Sequence, residues 1–167
     1  MNSTISIDLG LSDIKVEEVK IDKKGVYRIN ASCTLTKGKC HKCGEEITKF
    51  HGLDREMEIR HLPIFGKECY IHIRLPRFEC EHCNKHPKTT AQLSWRRYNS
   101  SCTKVFEEHI LNALTNSTMS DVSCKEKISE GKIKRILEAY YPDKIEWGDI
   151  EKIGQIGIDE ISLKKRA

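Results

Sequence analysis

Hydrophobic positions along the chain change period part-way through. Ile14, Val16, Val19 and Ile21 alternate with polar residues apart from one slip, which predicts a strand with a bulge near Glu17 and Glu18. Asp22-Lys23-Lys24-Gly25 is a turn sequence with its glycine placed for a positive φ. Tyr27, Ile29, Ala31, Cys33 and Leu35 then alternate as a half-buried strand. Two strands alone are marginal, so this hairpin needs something else to pack on. In a second β region Met57, Ile59 and His61 alternate before Leu62-Pro63, and Phe65-Gly66 supplies a turn. Cys69, Ile71, Ile73 and Leu75 share one face of the next strand, with Tyr70, His72 and Arg74 on the other.

From Ser100 the period is helical. Val105, Phe106, Ile110, Leu111 and Leu114 form one stripe, with Ser101 or Thr103 as N-cap. A shorter helix is expected from about Ser120 to Lys127. Ser129-Glu130-Gly131 opens a third, with Ile133, Ile136, Leu137 and Tyr140 facing inward. Tyr141-Pro142-Asp143 ends it, because the residue before proline avoids helical angles. Residues 143–152 read as a polar linker, and Ile156-Gly157-Ile158-Asp159 as a short buried strand. The last two helices, joined through Ile128 with Ser129 as cap, have the helix-turn-helix pattern. Lys132, Lys134 and Arg135 would then point outward, where a recognition helix meets bases and phosphates. An ordinary helical bundle with a solvated lysine face has the same pattern, so periodicity leaves both open.

The cysteines narrow the field. Met1 to Gly10 has no basic cluster and so is no secretory signal, and no window approaches a membrane span. Eight cysteines without an export signal point to metal rather than to disulfides. Cys40-His41-Lys42-Cys43 and Cys80-Glu81-His82-Cys83 are two C-x2-C knuckles, each with a turn-prone residue after it. Four thiolates make a closed tetrahedral zinc site with no open position for catalysis, and two knuckles at the ends of separate hairpins make a zinc ribbon. Chance thiols or a redox pair is the alternative. His41, His82 and His86 lie close enough to replace a thiolate, but the cysteines already fill four positions. Cys33, Cys69 and Cys124 read as small core residues, and Cys102 as a residue near a helix start that could be exposed.

Charge adds a location. The chain is only +4 overall, yet residues 60–104 carry net +6 while residues 1–59 are neutral and residues 105–167 are −2. That basic stretch is interleaved with aromatics, including Arg60, Tyr70, Trp95, Arg96, Arg97 and Tyr98. Such a mixture is either a nucleic-acid footprint or a solvated sheet face.

The order of these parts resembles the N-terminal portion of bacterial insertion-sequence transposases of the ISL-three family. The likeness runs through Leu9-Gly10-Leu11, both knuckles, His51-Gly52, Arg60-His61-Leu62-Pro63 and Arg77-Phe78-Glu79-Cys80. It continues in Ser129 to Leu137 and in Ile156-Gly157-Ile158-Asp159-Glu160-Ile161-Ser162. The resemblance implies an α+β chain. A β-hairpin and zinc ribbon (1–98) precede a trihelical helix-turn-helix (99–142), and residues 143–167 are a linker and the first strand of a ribonuclease-H-like domain. It implies structural Zn²⁺ on Cys40, Cys43, Cys80 and Cys83. It also implies double-stranded DNA, the terminal inverted repeats of an element, as partner. By their own placement Lys132, Lys134 and Arg135 would reach base edges, and Arg96 and Arg97, between ribbon and helices, phosphates or a minor groove.

By the same resemblance Asp159 takes the place of the first of three catalytic carboxylates, which hold Mg²⁺ only in a complete catalytic domain. One carboxylate cannot build that site, so this chain alone is expected to be inactive in strand transfer. A cytoplasmic, nucleoid-associated bacterial protein follows, with homo-oligomerisation left open. The alternatives are a truncated regulator that blocks transposition without catalysis, or a zinc-ribbon module that binds protein or RNA.

Overall fold

A computed structural model describes residues 8–141. Its first sheet joins the two predicted β regions. Strands β1 (Ile14–Ile21) and β2 (Tyr27–Cys33) pair antiparallel, with a register shift between Val16 and Glu18 where the alternation slips. Asp22 shapes their turn: its Oδ1 accepts from the N–H groups of Lys24 and Val26, and Gly25 sits at φ +78°. Strands β6 (Met57–Ile64) and β7 (Lys67–Arg74) are joined by Phe65 and Gly66, both at positive φ, as a two-residue hairpin requires. Pro63 lies in β6 where the register shifts between His61 and Ile64, so the missing N–H breaks no regular ladder. Parallel pairing of β2 with β7 gives the order β1-β2-β7-β6, and this is what the first hairpin packs on.

One face of this sheet carries the main core. Ile29, Ile59, Cys69, Ile71 and Ile73 are buried there under Leu93 and Trp95, each large aliphatic contributing about 1.5–3 kcal/mol. Trp95 meets its polar requirement by donating Nε1–H to the Ser12 carbonyl at 2.8 Å. Val16, Val19 and Ile21 on the edge strand β1 remain exposed.

The metal-knuckle region forms where the chain before β6 and after β7 continues past the main sheet. Strands β3 (Gly38–Lys39) and β4 (Glu46–Ile47) flank the first knuckle. Strands β5 (Lys49–Leu53), β8 (Pro76–Glu79) and β9 (Lys88–Thr90) form a second sheet in the order β5-β8-β9. Because β5 runs into β6 and β7 into β8, the pairs β5–β8 and β6–β7 are two halves of one bent antiparallel ribbon. The Asp54 N–H bonds the Leu75 carbonyl at 2.8 Å across the bend. The zinc-ribbon sheet and the main sheet therefore share two continuous strands.

Three helices follow: α1 (Lys104–Ala113), α2 (Met119–Glu126) and α3 (Glu130–Tyr140). Thr103 caps α1, and Thr118 with Asp121 makes a capping box on α2, which therefore starts slightly before the expected Ser120. Lys127 ends α2 in the left-handed region, and Ile128 fills the space between α2 and α3. Ser129 occupies the N-cap of α3 but makes no side-chain capping bond, so that expectation holds in position only. Two cysteine expectations reverse. Cys102 is buried in the helical core with Phe106, Ile110, Val122, Ile133 and Ile136, and Cys124 is exposed. Val105, expected on the inner stripe, faces solvent.

Arg60 and His61 in β6 join sheet to helices. The Arg60 backbone exchanges hydrogen bonds with Ser101 and Thr103, and its buried guanidinium donates to Glu68 at 2.7 Å. That guanidinium also lies 4.8 Å from the Tyr70 ring centroid and 5.2 Å from that of Phe106. Arg60, counted above with a basic surface, is thus interior. His61 is buried with Nδ1 3.2 Å from Thr103 Oγ1, and burial pushes its imidazole below the ordinary value of 6.5. A depressed histidine favours the fold while neutral and opposes it once the unfolded chain takes up the proton. Stability to urea should therefore hold above about pH 6.5 and fall below it. His61→Asn should flatten that fall; an identical slope in wild type and variant would show that His61 carries none of it.

Candidate metal centre and nucleic-acid interface

Each knuckle is a tight turn between two short strands. In the first, the Cys40 N–H bonds the Glu45 carbonyl and the Gly44 N–H bonds the Cys40 carbonyl, with Gly44 at φ +77°. In the second, Cys80 leaves β8 bonded to the Pro87 carbonyl, and Lys85 and His86 both take positive φ to turn the chain back. Phe78 packs beneath, among Cys40, Ile47, Cys80 and Ala91. A Cβ at Gly38 would stand 3.2 Å from the Phe78 ring, so the strand passes close over that ring.

The turns bring the four sulfurs within 4.8 Å of one another, with Cys43 to Cys80 at 3.7 Å and Cys40 to Cys83 at 4.0 Å. Tetrahedral zinc with Zn–S bonds of 2.3 Å needs sulfur separations of about 3.8 Å. Backbone N–H groups of Cys43 and Lys42 pull the Cys40 thiol down to about 6. The hydrogen bond with Cys43, and then burial, push Cys83 up to about 12, and burial also raises Cys80. The Cys40 thiolate forms readily, whereas those of Cys80 and Cys83 need a cation beside them. The donor set fits a divalent soft metal. The histidines turn elsewhere: His41 Nδ1 lies 2.8 Å from Thr89 Oγ1 and His86 Nδ1 lies 3.1 Å from the Cys80 carbonyl. Among the described residues, only the four cysteines meet at a metal-sized centre.

The helical unit presents its cations on α3. Ile133 and Ile136 are buried, while Lys132, Lys134 and Arg135 are exposed. Among the described residues Lys134 meets only Glu138, at 3.8 Å and well exposed, a pair of little energetic weight. Lys132 and Arg135 have no carboxylate within salt-bridge distance among the described residues and line a notch of about 140 Å³ against residues 97–101.

Arg96 and Arg97, expected at the DNA, each also have a partner within the chain. Arg97 donates Nε and Nη2 to the two oxygens of fully buried Glu107, at 3.2 and 3.0 Å. Arg96 gives its Nε–H to the Ser100 carbonyl at 2.7 Å and lines a wider cleft of about 820 Å³. That cleft has both signs of charge, with Arg55 and Lys88 facing Asp54, Glu56 and Glu58. Glu107 also accepts from Ser100 Oγ and from Tyr140 OH, tying the 96–101 loop, α1 and the end of α3 together. The sequence reading missed Glu107. Its signal is an acid three residues before Ile110 on the inner stripe of α1. Asp159 lies outside the described residues, as does the strand expected around it.

Residues 36–83 match the zinc-finger of transposase IS204/IS1001/IS1096/IS1165, and residues 91–141 match the helix-turn-helix domain of transposase family ISL3. The chain belongs to the ISL3 transposase family. Both ISL3 matches coincide with structural units: the first ends at the last cysteine, and the second begins where β9 gives way to the segment leading to α1. Neither curated proteins nor solved structures returned a match. No helix among the described residues is long and apolar enough to cross a membrane.

The Glu107 cluster gives a quantitative expectation. Arg97→Ala leaves a buried carboxylate without its cation, and breaking such a pair costs about 3 kcal/mol. The urea midpoint should fall accordingly, whereas Lys134→Ala, at an exposed site, should leave it unchanged. Equal midpoints for Arg97→Ala and wild type would show that Arg97 has no structural role.

Proposed function

We propose that this chain recognises the terminal inverted repeats of its insertion element, with zinc on Cys40, Cys43, Cys80 and Cys83 holding the ribbon and α3 reading the duplex. The observation that carries this reading is the outer face of α3. Three cations stand on the first two turns of the helix that follows a helix-turn-helix turn, and their apolar neighbours are buried behind them. Zinc in a four-thiolate site would be structural, with an apparent binding free energy of about 10–16 kcal/mol. Small strands such as β3 and β4 bury too little to persist without it.

Lys134 is assigned to base edges and Lys132 and Arg135 to phosphates, since the latter two face the notch beside α3. Arg96 is a lesser phosphate contact, and Arg97 serves the fold. Asp159, by resemblance, is the first carboxylate of the catalytic triad, where divalent metal would activate the attacking oxygen. The protein would work on the bacterial chromosome.

Binding to a duplex carrying the element's end, taken from DNA flanking the gene, and to a scrambled duplex tests this. Lys134→Ala should cost about 1–3 kcal/mol on the end duplex and relax the preference for it. If instead it weakened both duplexes equally and lowered the salt slope by about one unit, Lys134 would be a phosphate contact. A wild-type chain with no preference between the duplexes would overturn the function itself.

A further inference from the structure

We infer that residues 96–101 form a second DNA-contacting element beside α3, with one sugar–phosphate strand lying in the notch between them and Tyr98 packed on its deoxyriboses. This rests on the reading that α3 enters the major groove. An α-helix with side chains is about 10–12 Å across and the major groove about 12 Å wide, so the helix fills it. Whatever flanks the helix must then meet the phosphate wall. The 97–101 segment is that flank: it faces Lys132 and Arg135 across the notch.

The loop is built to hold a shape. Arg96 is tied to the Ser100 carbonyl, Arg97 to Glu107, and the Ser100 hydroxyl to Glu107, while the Cys102 N–H bonds back to Ser100 Oγ. Only the tip is left out of this network. Tyr98 is 70% exposed, and Asn99 takes φ 58°, a left-handed conformation that turns the chain sharply just after it. A large aromatic held in water on a pinned stem has lost conformational entropy before binding, which is how a pre-organised contact gains affinity. The charge balance fits a phosphate strand. Arg97 takes up the charge of Glu107, so Lys132 and Arg135 face the notch without a carboxylate partner among the described residues.

Footprinting of the zinc-loaded full chain on the element-end duplex separates the two elements. Dimethyl sulfate reports guanine N7 in the major groove, where α3 is placed, and hydroxyl radicals report the sugars. Tyr98→Ala, at an exposed position, should lose sugar protection on the strand flanking the major-groove contacts and keep the dimethyl sulfate footprint. Its affinity should fall about tenfold on end and scrambled duplexes alike. Lys132→Ala should weaken the same sugar protections. If Tyr98→Ala keeps both footprints and wild-type affinity while Lys134→Ala still relaxes sequence preference, the loop element is refuted and the recognition helix stands. If wild type gives no dimethyl sulfate footprint, the major-groove placement fails, and this inference with it.

Discussion

Four sulfurs within 4.8 Å of one another set the terms for the rest of this molecule. The hydrogen bond with Cys43 and burial hold Cys83 up at about 12, so its thiolate needs a cation beside it, and a divalent cation would join the four sulfurs in one crosslink. The crosslink fixes two turns whose flanking strands are two to four residues long. Through β5–β6 and β7–β8 it also fixes one end of a bent ribbon whose other end is the β6–β7 side of the main sheet. Arg60 and His61 then pass that order from β6 to α1. The metal unit and the helical unit are thus linked by continuous backbone and a buried junction rather than by a flexible tether.

The molecule divides its cations between interior and surface. Arg60 on Glu68 loses hydration and offsets that loss through hydrogen bonds and ring faces, while half-buried Arg97 neutralises the fully buried Glu107. Those two pairs fix how the helical unit sits on the sheet and where the 96–101 loop lies. Among the described residues Lys132, Lys134 and Arg135 have only one exposed and distant carboxylate between them, so their charge stays available to a polyanion. The ISL3 domain matches fall on these two units, the metal-bearing ribbon and the helix-turn-helix.

Much of this was legible in the residues. The knuckles named their ligands, the alternation of Cys69, Ile71, Ile73 and Leu75 gave a buried strand face, and Ile128 marked the turn between α2 and α3. Strands β3, β4, β5 and β9 were not, because two to five residues do not establish a period. The parallel pairing of β2 with β7 was also hidden, since hairpins announce local partners and not distant ones. A string of basic residues gives no indication of which are paired inside, and Arg60 was misjudged for that reason. Cys102 and Cys124 exchanged their expected environments because the helix start is buried against β6 while the α2 surface is open.

The central claim is that a metal-organised chain reads a specific DNA sequence. Selection from a random duplex pool tests it most directly, carried out with the zinc-loaded chain and with the same chain after chelation, and read by sequencing. The account predicts one enriched motif with zinc bound, shared with the ends of the element, and no enrichment after metal removal. Equal enrichment with and without metal, or none in either, would contradict it.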